Sequence, residues 1–177
     1  MLSLQLGHTV AATSTVLAAF MGGLAVGAAF AGIARWRSLR AYAALEAAVA
    51  VCAVLLPFAL AATTPLLAWA YADGTAPARL AIVRVLISAA ILGVPAAAMG
   101  ATFPVASEWF ADAATLYAAN TAGAALGAIA AGFWLIPALG LRAMTGVGVV
   151  LNLVAAAGAF WISTRDRIYL CKKPPRS

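Results

Sequence analysis

Five long apolar stretches, divided by short gaps that hold nearly all of the charge, dictate what this chain can fold into. They run over about residues 10–33, 41–63, 80–102, 115–137 and 143–163. A bilayer core of ~30 Å is crossed by ~20 apolar residues as a helix, because in lipid every backbone N–H and C=O must be paired within its own segment. Each stretch meets that length. The chain has 11 Lys and Arg and 5 Asp and Glu in 177 residues, and 66% of it is hydrophobic. A soluble domain carries about a quarter charged residues. The predicted fold is therefore all-α, a polytopic membrane helix bundle of about five transmembrane helices. Residues 1–163 form one transmembrane domain and 164–177 a basic tail. The apolar run after Arg40 continues to Ala72. As one helix it would be ~48 Å long, so Thr63-Thr64-Pro65 is expected to end the second span, leaving Trp69 and Tyr71 in the interfacial belt.

Orientation follows from the basic residues. Arg35, Arg37 and Arg40 follow the first span, and Arg165, Arg167, Lys172, Lys173 and Arg176 follow the fifth, against Arg79, Arg84 and Arg142 on the other side. By the positive-inside rule the first loop and the tail are cytoplasmic and the N-terminus is outside. The connection 103–114 then lies inside, although it holds Glu108 and Asp112 and no Lys or Arg; acidic residues count little in this rule. The net charge of +6 flanks apolar spans and orients the chain, so nucleic acid is not an expected partner. No basic region precedes the first stretch, which marks a retained span rather than a cleaved signal. Cys52 in a span and Cys171 in the tail read as unpaired thiols, with no disulfide framework and no metal spacing.

Small residues carry the clearest motif. Gly23 and Gly27, and again Gly123 and Gly127 with Gly132 one turn on, place glycines on one helical face. Lipid gives helices no hydrophobic reason to associate, so close backbone packing over small residues must supply it. Contact within the bundle is the first reading of both stripes, and dimerisation or a substrate path the second.

Glu46 stands six residues beyond Arg40, ~9 Å into the second span, where an unpaired carboxylate is costly. Thr102, Asn120 and Thr121 are expected at similar depth, with Tyr117 shallower. Together they make a candidate polar cluster that would bind a cation or carry a proton; the alternatives are interfacial solvation and a structural hydrogen bond. Arg84 reads as a snorkelling anchor, His8 as an interfacial hydrogen-bonding group, and Asn152 as glue between helices. Pro57 and Pro95 are expected to kink their spans. Neither a phosphate loop, a nucleophile elbow nor paired carboxylates in a cleft can be found, and no cofactor or metal is implied.

Three segments in order carry a family resemblance: Gly7-His-Thr with Thr15-Val-Leu-Ala-Ala-Phe-Met-Gly-Gly-Leu-Ala-Val-Gly27, then Met99-Gly-Ala-Thr-Phe-Pro104, then Leu116-Tyr-Ala-Ala-Asn-Thr-Ala-Gly-Ala-Ala-Leu-Gly127. Together they resemble the membrane region of bacterial spermidine-synthase-like proteins, in which a transporter-like helical part is fused to a soluble aminopropyltransferase-like domain. The resemblance implies the bacterial cytoplasmic membrane. Against the family pattern the chain looks shortened by its first helix and lacks the soluble catalytic domain, so no catalytic residue carries over and no enzyme activity is expected. The expected role is an accessory or structural subunit packing in a larger membrane complex, with the lipid bilayer and membrane proteins or further copies of itself as partners. The alternative is a transporter-like domain that binds or moves a small, polyamine-like cationic solute.

Overall fold

The computed structural model describes residues 2–34, 38–71, 77–109 and 112–171. Arg35, Arg37, Lys172, Lys173 and Arg176 of the orientation argument lie outside these residues, as do the side chains of His8, Tyr71, Arg167 and Cys171. Every element is helical: α1 Leu2–Ala34, α2 Leu39–Tyr71, α3 Pro77–Ser107, α4 Ala113–Ala130, a turn of π geometry at Ala131–Leu135, and α5 Ile136–Cys171.

Among the described residues, four helical runs are long and apolar enough to cross a membrane: Thr13–Ala34, Leu39–Ala70, Ala81–Ser107 and Ala113–Arg165. The chain is thus a multi-pass helical protein of membrane composition, but the helix count differs from the sequence expectation. The fourth and fifth predicted spans form one helical run of 53 residues. Only Arg142 is charged in the gap between them, and the run is interrupted there by a backbone kink rather than by a polar loop. Two local features modify it. Pro137 has no N–H to offer the preceding turn; there the ladder widens, and the Ile136 N–H reaches back to the Ala131 carbonyl. At Gly140 the backbone leaves helical geometry altogether (φ 78°, ψ 168°), which glycine alone tolerates without a Cβ clash.

The second correction concerns Pro65. The sequence places the end of a span there, yet α2 runs through both Pro57 and Pro65 to Tyr71. The Thr63 hydroxyl donates to the Leu60 carbonyl at 2.8 Å, whereas the carbonyl that Pro65 leaves without its helical donor is that of Ala61. Proline in a membrane helix thus costs one backbone hydrogen bond without ending the run. Pro95 and Pro104 likewise lie inside α3.

The helices pack as a row. α1 lies along α3, α3 along α2, and α2 along α5, while α4 shares no packed face with any of α1, α2 or α3. The buried residues are nearly all alanines, at Ala31, Ala101 and Val105 between α1 and α3, and at Ala43, Ala156 and Ala159 between α2 and α5. Small side chains bring these helices together at backbone distance. A methyl group on Gly23 would lie 2.6 Å from the Gly93 carbonyl oxygen, and one on Gly27 would collide with the Ala97 backbone. From the other side, a methyl on Gly100 would collide with the Leu24 backbone.

Candidate functional site

Glu46 sits on α2, partly buried, one turn after Tyr42 on the same helix. The two side chains lie near enough to interact, an i, i+4 pairing that a helix brings together without help. Tyr42 also packs against both small clusters, the one between α1 and α3 and the one between α2 and α5. It therefore anchors Glu46 at the junction of the row. Sequence reasoning missed Tyr42; the signal was its spacing from Glu46.

The remaining members of the candidate cluster do not gather round Glu46. Thr102 is partly buried on α3 and spends its hydroxyl on its own helix, donating to the Met99 carbonyl at 2.6 Å. Tyr117 is 62% exposed, and its ring meets Phe103 edge to face, with centroids 5.9 Å apart and planes at 85°. Asn120 and Thr121 are exposed on α4. Depth in the membrane can be read from sequence, but neighbours cannot, and α4 does not pack on α2. Asn152, expected to join helices, donates to the Gly148 carbonyl of its own helix at 3.0 Å.

The glycine stripes separate in the same way. Gly23 and Gly27 press on α3, whereas Gly123, Gly127 and Gly132 have no atom near the position of an added methyl group. No residue of α4 is buried.

Both ends of the row carry an arginine over a tryptophan. The Arg79 guanidinium lies 4.9 Å from the Trp69 ring and donates to the Ala70 carbonyl at 3.4 Å, covering the end of α2. Arg165 lies 3.8 Å from the Trp161 ring near the end of α5. Because α2 and α5 run antiparallel, the two pairs mark opposite ends, as interfacial Trp and Arg do in membrane proteins.

Asp112 caps α4: it accepts from the Ala114 N–H at 2.9 Å and from the Thr115 hydroxyl. The Thr115 hydroxyl, then the backbone donors, hold its carboxyl below the usual range. A depressed value in the folded state means that the cap contributes above the ordinary carboxylate pKa and is lost as pH falls through the folded value. The protection factor of the Ala114 amide, its exchange relative to the intrinsic rate at the same pH, should accordingly fall on acidification, and at neutral pH in Asp112→Ala; pH-independent protection would show that the cap holds nothing.

The grooves between helices are apolar. One of about 210 Å³ is lined by Ala50, Val51, Val54, Leu55, Val149 and Leu153 between α2 and α5. Among the described residues, no three His, Cys, Asp or Glu side chains come together as a metal site would need. No protein-family model, curated protein or solved structure matches this sequence.

Proposed function

We propose that the chain is a subunit of the bacterial cytoplasmic membrane that packs its helices into a larger membrane assembly and performs no chemistry of its own. The observation that carries this reading is the bareness of α4. Lipid accommodates exposed Leu126, Ile129 and Phe133, but it gives no reason for glycine at 123, 127 and 132, each of which weakens a helix by about 1 kcal/mol relative to alanine. Close approach of another helix offsets that cost. The side chains lining the grooves support the same reading, since Ala, Val, Leu and Gly offer neither acid, base nor nucleophile.

The topology that fits this role has five crossings. A straight helix of 53 residues would be ~80 Å long, more than twice the hydrocarbon core. A turn at Gly140, beside Arg142, would divide it into two crossings, and the basic residues after the first and last spans favour an outside N-terminus and a cytoplasmic C-terminus. On the resemblance to spermidine-synthase-like proteins, a soluble aminopropyltransferase-like protein at the cytoplasmic face is one partner.

Purification from membranes in mild detergent is expected to recover partner polypeptides in stoichiometric amount, and a monodisperse monomer would count against the reading. The partly buried Glu46–Tyr42 pair favours a second one, transport of a cationic solute. Calorimetric titration with spermidine separates them: no binding is expected of a packing subunit, while binding lost in Glu46→Gln would establish the transporter.

A further inference from the structure

α4 repeats α1. Shifted by 100 residues, Thr15, Gly23, Gly27 and Gly32 fall on Thr115, Gly123, Gly127 and Gly132, and five alanines between 18 and 31 fall on alanines. Glycine is only 15 of the 177 residues, so three coincident glycines with a threonine are not a by-product of composition. The next helix follows suit with two extra residues: Leu39-Arg40-Ala41 at the start of α2 corresponds to Leu141-Arg142-Ala143 just after the Gly140 break.

The packing has the symmetry that such a repeat requires. Ala43 clusters with Ala156 and Ala159, and the groove from Ala50 to Leu55 faces Val149 and Leu153, so α2 and α5 run antiparallel. Ala50 lines that groove with Val149 and Leu153, which flank Asn152 in sequence, the counterpart of Ala50 at the shift of 102 set by the Leu-Arg-Ala match. Two units of three helices, inverted about an axis in the membrane plane, have this geometry. In the first unit α3 lies between α1 and α2 and holds both. In the second, α4 answers to α1 and α5 to α2, and the glycine face of α4 meets nothing.

We infer that the Gly123–Gly127–Gly132 face of α4 receives a membrane helix of the α3 type, with small residues spaced like Gly93, Ala97 and Gly100. The partner's chemistry is given by the α1–α3 interface, where the matching glycines admit the Gly93 and Ala97 backbone directly. This inference rests on the subunit reading above and names what the subunit binds. The third-helix position also borders the start of α5, where Ala143, Met144 and Val147 correspond to the α2 residues Ala41, Tyr42 and Leu45 that pack at the α3 cluster.

The test uses the full chain in detergent micelles and a synthetic peptide of residues 81–107 carrying a photo-crosslinker in place of Ala97. Cross-links are expected on α4 between residues 120 and 130, with yield falling about tenfold or more in Gly123→Ile/Gly127→Ile, the scale on which overpacking a close contact weakens association. Circular dichroism checks that the variant keeps its helices. Cross-links on α1 alone, none at all, or an undiminished yield in the variant would overturn the inference. Partners that co-purify while the peptide misses α4 would sink the repeat-derived site and leave the subunit reading standing.

Discussion

Isoleucine at Gly27 is expected to force α1 off α3 and to lower the unfolding free energy of the solubilised chain by about 3 kcal/mol, the upper end of what overpacking costs. The cause is specific. A methyl group there already collides with the Ala97 backbone, which cannot swing away as a side chain would. The same substitution at Gly127, in the same register of the repeat, meets open space and should change stability by less than ~0.5 kcal/mol in a single chain. An SDS titration followed by circular dichroism compares the two, and equal midpoints would remove the close α1–α3 contact. The paired design matters because glycine's helix propensity cancels between the sites.

The second large effect is topological. In a chain with Cys52 and Cys171 replaced, a cysteine at Leu139 should react with a membrane-impermeant maleimide from outside intact cells, and one at Trp109 or at Ser177 only after the cytoplasm is opened. That outcome gives five crossings. Reaction at Leu139 and Ser177 from the same side would mean that Ala113–Arg165 does not turn back at Gly140. Gly140→Ala should cost about 1–2 kcal/mol, since a Cβ at positive φ crowds the carbonyl that follows.

How much of this was legible in the sequence varies with the kind of fact. Apolar length reads directly, because lipid imposes it on each segment alone. Around Leu139 the gap is only a few residues, with Pro137, Gly140 and Arg142 and no polar loop, and length alone does not say whether one helix ends and another begins. Pro65 does not end α2, because in a membrane helix a proline forfeits one backbone hydrogen bond while the rest of the ladder, with no water to compete for it, continues. Of the α1–α3 contact, one half was visible as Gly23 and Gly27. The other half was not, since Gly93 and Gly100 are spaced by seven and straddle alanines that do the same work. The polar cluster failed for a different reason: equal depth puts Glu46 and Asn120 in the same layer of the membrane but on helices that never meet.

α2 deserves a last consequence. Its apolar run of 32 residues spans ~48 Å against a hydrocarbon core of ~30 Å. With Arg79 and Trp69 fastened at one end and Tyr42 wedged into the packing near the other, the helix cannot slide to hide the excess. Tilt or local thickening of the bilayer must absorb it. Since α2 holds α3 on one side and α5 on the other, any tilt it takes is carried into both neighbours.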